Sequence, residues 1–292
     1  MEYWIGVFII VGITIISVLG VAVLTGFTGL FSFGHAGFMA IGAYTSAILV
    51  KSFGIPIWLG VIIGMLASVL VGVMIGYPTL RLKGDYFLIA TLGFGEVVKL
   101  VIENMQSITG GAMGLPDIPG KITLPVILAL DALAILLVYF FVHSRQGRNC
   151  IAIREEETAA EVMGINVTKY KILSMAFSCA LTGFSGALLA HYMHYLQPVL
   201  FSTVKSQELI ITVIMGGMGS ISGPVLAAII LTPLPELLRV SSAQEWRMVI
   251  YGFIVILIVM FRPSGLFGYR EINFKFLQKA FANLAGRKAK GA

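Results

Sequence analysis

Long apolar runs separated by short polar stretches set the pattern of this chain. Hydrophobic segments cover residues 4–24, 57–77, 86–102, 124–142, 172–192 and 248–261. Most approach the ~20 residues an α-helix needs to cross a bilayer. Their apolar positions are continuous and do not alternate, which excludes a β-barrel. Two further segments are interrupted by glycine. Residues 26–44, GFTGLFSFGHAGFMAIGAY, hold glycines at 26, 29, 34, 37 and 42 around His35. They predict a break near Gly34 and a span over 37–50. Residues 215–224, MGGMGSISGP, predict a second break between 209–215 and 221–238. Non-helical backbone at membrane depth is tolerated only where protein or a cavity covers it. Such breaks either line a transport path or let helices approach closely. The expected fold is an all-α polytopic membrane protein of about eight to ten transmembrane helices with two glycine-broken or re-entrant segments, a count set by helix length. It forms one transmembrane domain over 1–292.

Within these runs, particular residues stand out. The run 57–77 carries Gly60–Gly64 and Gly72–Gly76, two spacings that favour tight helix packing. The run 86–102 carries Glu96 and Lys99, one helical turn apart. An ionisable residue inside a span costs a few kcal/mol. Glu96 is therefore expected to face the bundle interior, a watery cavity or a partner, either as a pathway residue or simply paired with Lys99. Residues 107–120, SITGGAMGLPDIPG, are a turn-rich loop.

The longest polar insertion is 143–171. Residues 151–163 have the makings of a few helical turns, with Ala152, Ala159, Ala160, Val162 and Met163 available for contact, and Gly164 is placed to end them. Charge and periodicity alone leave two readings open, a loop that fixes topology and an element on which a partner docks.

Composition agrees with the membrane class: 58% hydrophobic, 12% charged, mean hydropathy +0.95. The net charge of +6 gathers in loops such as the one with Arg81 and Lys83, and in the tail. That distribution marks cytoplasmic loops and anionic lipid, not nucleic acid. The tail 270–292 places Phe274, Leu277, Phe281 and Leu284 at helical spacing among basic residues, as an interfacial helix would. If both this tail and the 143–171 loop are cytoplasmic, an even number of crossings must join them. The segment 209–238 then makes a re-entrant hairpin or two crossings. The N-terminal run lacks a basic leader and a cleavage site, and reads as an uncleaved span. Cys150 and Cys179 offer no disulfide framework. His191 and His194 are too few for a metal site and read as interfacial. No phosphate-binding loop, zinc motif or nucleophile elbow occurs, so no catalytic residues are assigned.

Five segments carry a family resemblance: GLFSFGHAGFMAIGAY (29–44), GDYFLIATLGFGEVVKLV (84–101), SITGGAMGLP (107–116), GRNCIAIREEETAAEVMGINVTKYKILSMAFS (147–178) and ELIITVIMGGMGSISGPVLAA (208–228). They resemble the LivM-like permease subunits of ABC importers for branched-chain amino acids. The resemblance implies a bacterial or archaeal cytoplasmic (inner) membrane. It implies a second, LivH-like permease, two cytoplasmic ATPase subunits and a periplasmic or extracellular binding protein. This chain would bind no cofactor; ATP and Mg would belong to the ATPases. The stretch ETAAEVMG (157–164) resembles the family's coupling motif, which gives Arg154, Glu155, Glu157, Ala159, Ala160, Glu161 and Gly164 as ATPase-coupling residues. Gly34, His35, Glu96, Thr109, Gly110, Gly111, Gly216 and Gly217 are the candidate translocation-path residues. Related permeases for urea or short amides have a similar pattern, and glycine breaks also occur in channels that need no ATPase.

Overall fold

The computed structural model describes residues 2–82 and 84–237, together with 252, 253, 256, 260 and 265. Lys83, most of the expected last span (248–261) and the basic tail (270–292) lie outside the described residues. The helices are α1 (Glu2–Val21), which runs into a π-helical segment Ala22–Phe27, then α2 (His35–Phe53), α3 (Ile57–Thr79), α4 (Asp85–Asn104), α5 (Gln106–Thr109), α6 (Leu124–His143), α7 (Arg145–Glu155), α8 (Glu157–Val162), α9 (Val167–Met193), α10 (Thr203–Gly216), α11 (Ser222–Leu231) and α12 (Leu234–Leu237). Six segments among the described residues are long and apolar enough to cross a membrane: Tyr3–Phe27, α2, α3, α6, α9 and Pro198–Gly216. Helix α4 matches them in length but carries Asp85, Glu96, Lys99 and Glu103. The chain is an all-α polytopic membrane protein.

Helix α9 is the axis of the bundle. It lies antiparallel to α1, with Gly6 against Tyr192 and Gly20 against Ser178 and Thr182. It is also antiparallel to α3, with Gly183 against Ser68 and Gly76 against Met175. It runs parallel to α2, where His35 reaches Ser178 and Ser46 reaches His191. These crossings depend on missing side chains. A Cβ on Gly42 would collide with the Gly183 backbone, and one on Gly186 with the Met39 carbonyl. Gly60, Gly64, Gly72 and Gly76 are all buried on one face of α3, so the packing expected of their spacing is what they provide. The opposite face of α3 leaves Trp58, Ile62, Leu66, Leu70 and Met74 exposed, a stripe suited to lipid or to another subunit.

Close approach brings small hydroxyls together. Ser17 shares a hydrogen bond with Ser185, and Thr28 with Ser174. Ser68 donates to the Phe38 carbonyl at 2.8 Å. All of these side chains are buried. Buried polar groups in lipid must find partners inside the protein, and here one helix supplies most of them.

Both predicted breaks are present. The first spans 28–34, between the π-helical segment and α2. Thr25 donates to the Leu30 carbonyl and Thr28 to the Val23 carbonyl. The Phe33 amide donates to Thr91, and the Ala36 amide to Ser206 at 2.9 Å. The second break follows Gly216, with Gly217 at φ +117° and Gly219 at φ +99°. Helix α11 then turns back, since Gly223 lies against the Gly216 carbonyl. It reaches as far as the cavity it shares with Phe8 and Val11 of α1. At ten residues α11 is shorter than the ~20 that a crossing needs, so the 209–238 segment folds as a helix, a glycine turn and a short returning helix. Gly265 lies against Gly217, which brings residue 265 to the end of the bundle that carries α7 and α8.

If the α9 crossings set stability, Gly183→Ala, whose new methyl meets Ser68, lowers it by roughly 1–3 kcal/mol. Gly93→Ala has nothing within 4 Å of its new methyl and leaves it unchanged. Thermal unfolding of the detergent-solubilised protein reads both.

Candidate functional site

The 143–171 loop folds as two helices, where a single one over 151–163 was expected. Ser144 caps α7 by accepting from the Gly147 amide at 3.2 Å. Glu156 then adopts an extended conformation, φ −157° and ψ 109°, and the chain turns into α8. Gly164, at φ +82°, closes α8 as expected: its amide donates to the Glu161 carbonyl, and the Ile165 amide to the Ala160 carbonyl. This pair of bonds is the Schellman arrangement, which needs a left-handed residue at that point.

The loop divides its side chains between two tasks. Ala160 is buried against the bundle. Lys171, itself buried, holds Glu157 at 2.7 Å. Arg154 pairs with the neighbouring Glu155 and donates to the Gly26 carbonyl at 2.6 Å. Its aliphatic stem lies over Gly29, where a Cβ would come within 2.9 Å of it. Cys150 is buried beneath the loop, and burial pushes its thiol up to about 11, slightly offset by a contact with Thr28. Ala159, Glu161, Val162 and Met163 face outward. Val162 is 87% exposed and Met163 81%. Two adjacent apolar side chains held out at the tip of a loop invite a partner.

The path candidates fall in two places. Gly216 and Gly217 sit at the α7–α8 end, where Gly219 approaches Gly26. Gly34 lies in the seam between α2 and α4, and Thr109, Gly110 and Gly111 follow α4 at its other end; the structure does not bring Glu96 into contact with them. Gly34 caps the start of α2 and lies against Thr91 and Phe94; Gly37 lies against Gly95. Towards the other end the two helices part, and a cavity of about 320 Å³ opens between them, bounded by Thr109 of α5. Thr109 donates to the carbonyls of Ile102 and Met105, and Gly110 and Gly111 take left-handed conformations beside it. Glu96 is paired with Lys99 at 3.6 Å. His35 is fully buried: its Nδ1–H donates to the Ser32 carbonyl, which leaves Nε2 to accept from Ser178. His35 thus ties the first break to α9.

Three features lay outside the sequence reading. His191 is not interfacial. It is buried, donates to the Pro119 carbonyl and accepts from Ser46, and so fastens the 107–120 loop. His194 donates to Ile118 and Lys51 to Pro116 in the same loop. Asp131, in the middle of α6, lines an apolar cavity of about 280 Å³ with α1 and α11, and its Oδ1 has no hydrogen-bond partner. A lone acid at the centre of an apolar run was the signal for it. Tyr44 also carries a buried hydroxyl with no partner, and nothing in its sequence context marks it. Among the described residues, no group of three or more His, Cys, Asp or Glu is placed to hold a metal.

The chain matches, over residues 3–259, the family described as "Branched-chain amino acid transport system / permease component". It is 35% identical over 289 residues to the high-affinity branched-chain amino acid transport system permease protein LivM of Salmonella typhimurium, covering 87% of this chain and 67% of that one. It is 24% identical over 285 residues to LivH of the same organism, covering 87% and 91%. A probable LivM of Methanocaldococcus jannaschii is 25% identical over 252 residues, covering 78% and 73%. No solved structure matches the chain. On the family match and on 35% identity across most of its length, the chain belongs to the branched-chain amino acid transport permease family.

Proposed function

We propose that this chain is one membrane subunit of an ATP-driven importer of branched-chain amino acids in a cytoplasmic membrane, paired with a LivH-like permease, served by an extracytoplasmic binding protein and driven by two ATPase subunits. The observation that carries the reading is α8: a short helix ended by a glycine cap, bound to the bundle by Ala160 and Glu157, with Ala159, Val162 and Met163 turned outward. An ATPase groove is the occupant this shape suits. Small Ala159 lets another surface come close, and Val162 and Met163 supply apolar anchors.

The route from α8 into the bundle runs through Arg154. When the ATPases close, displacement of α7 and α8 pulls on the Gly26 carbonyl and presses on Gly29. Gly26 immediately precedes the first break and Gly29 lies within it, and α2 begins six residues beyond Gly29, at His35. A π-helical segment followed by irregular backbone yields more readily than regular helix, so motion entering there changes the tilt of α2 against α4. The ion pair Glu96–Lys99 rides on α4 and keeps each charge partnered during such movement.

In proteoliposomes holding the complete transporter, leucine uptake stops when the ATPases are made hydrolysis-dead; uptake that persists removes the importer reading. Ala159→Arg places charge at the contact face. Gly164→Pro demands φ near −65° where the chain holds +82°. Each leaves the bundle folded and ATP hydrolysis running while uptake per ATP falls; normal uptake by both separates α8 from coupling. Arg154→Met retains the stem over Gly29 and loses the bond to Gly26. It lowers uptake per ATP without weakening ATPase association, measured by co-purification.

A further inference from the structure

Two ion pairs stand at a depth where lipid does not tolerate charge. Helix α2 starts inside the membrane: His35, its first residue, bonds Ser178, about 16 Å along α9 from Val167 at 1.5 Å per residue. The Ala36 amide donates to Ser206, so α10 begins at the same depth. From Ser206 it runs to Gly216 at the α7–α8 end, about 15 Å away. Both lengths place the meeting point near the middle of a hydrocarbon core of about 30 Å. Helix α4 passes the same level, since the Phe33 amide donates to Thr91 and Gly37 lies against Gly95.

Here α10 carries Lys205 and Glu208, 3.1 Å apart. Helix α4, which adjoins it, carries Glu96 and Lys99, 3.6 Å apart. Neither pair is enclosed by the bundle: the side chains of Glu208 and Glu96 are 47% and 36% exposed. Charge at that depth is excluded from lipid and faces water or a polar partner. On α4 the charges also keep to one side. At 100° per residue, Asp85, Glu96, Lys99 and Glu103 fall within about 60° of one another. They make a strip along the whole helix. Packing such a strip dry against another subunit strips water from four charges at once; a water-filled path leaves them hydrated.

The two pairs share an orientation. Helix α3 ends with Gly76 against Met175, so α4 starts at the α7–α8 end and runs away from it, whereas α10 runs towards it. On both helices the glutamate is therefore nearer the α7–α8 end and the lysine nearer the other. An α-amino acid carries its ammonium and carboxylate on one carbon. It opposes these pairs with its carboxylate at the lysines and its ammonium at the glutamates. The first turn of α10, which holds Lys205, adds the positive end of the helix dipole on the carboxylate side. Resting on the permease reading above, we propose that Lys205 and Glu208 of α10, with Glu96 and Lys99 of α4, form a midway binding site for the zwitterionic head of an amino acid on the wall of a water-filled path.

The test uses the complete transporter in proteoliposomes with its binding protein and radiolabelled leucine. Exchanging the pair on α10, Lys205→Glu with Glu208→Lys, keeps an ion pair and reverses its direction. The complex assembles with an unchanged unfolding temperature, and leucine uptake per ATP falls roughly 10- to 100-fold, the loss of charge-assisted hydrogen bonds. The exchange on α4, Glu96→Lys with Lys99→Glu, has the same effect. A pair that serves structure alone tolerates the exchange, so wild-type uptake by either double variant overturns the proposal. Glu208→Cys in the assembled complex reads the surroundings directly, over a low background because Cys150 and Cys179 are buried. A membrane-impermeant thiol reagent modifies it from the aqueous phase; no modification shows the side chain packed against lipid or the second permease and overturns the proposal as well. If the wild-type complex accumulates no leucine, the permease reading falls with it; wild-type accumulation with fully active exchanged pairs overturns this site alone.

Discussion

How closely α9 lies against α2 and α3 decides the rest of the bundle. Lipid is as apolar as leucine, so helices in a membrane gain little by hiding apolar surface from it. What holds them is contact at short range and hydrogen bonding across the seam. Gly42, Gly183 and Gly186 remove the side chains that would keep α2 and α9 apart, and Gly60, Gly64, Gly72 and Gly76 do the same on α3. Once the axes are that near, Ser68 reaches the Phe38 carbonyl and Ser17 reaches Ser185. Helix α4 lacks this arrangement beyond Gly95. It is held at one end and stands off at the other, and the cavity beside Tyr44 is the outcome.

The same principle accounts for what was legible in the sequence. Hydropathy runs located α1, α3, α6 and α9, because a span must be apolar over most of its length; the same pattern marks α4, which carries four charges, and marks Pro198–Gly216 only over 209–215. Glycine clusters located both breaks, because left-handed backbone such as Gly217 and Gly219 excludes most other residues. The tight packing of α3 followed from spacing alone. What escaped was pairwise. Nothing local to Ser174 or Ser178 states that Thr28 and His35 are their partners. His191 sits near the end of an apolar run, where an interfacial place is the ordinary expectation; only the return of the 107–120 loop over it makes it buried. The division of the polar loop at Glu156 depends on a backbone conformation that a run of three glutamates does not signal. The separation of α2 from α4 is a property of two helices at once and has no mark in either.

The polar loop shows how one segment serves as both anchor and contact. Arg154, Glu157, Ala160 and Lys171 fasten it to the bundle. Ala159, Glu161, Val162 and Met163 are left for a partner. A loop bound more loosely would absorb the partner's motion, and one without outward apolar side chains would offer no grip. Arg154 belongs to the first group, yet its hold is on the one segment of α1 that is not regular helix.

The hydrogen bonds centred on α9 also impose an order in time. Ser17, Thr28, His35 and Ser46 find partners 168, 146, 143 and 145 residues further along the chain. During synthesis the first two helices enter the bilayer while those partners are still unmade. Until α9 emerges, Ser17, Thr28 and His35 have only the local carbonyls of Ile13, Val23 and Ser32 to bond. The bundle therefore completes as a late, concerted closure around its sixth long helix in chain order, and a chain stalled before residue 174 has none of these partners to close upon.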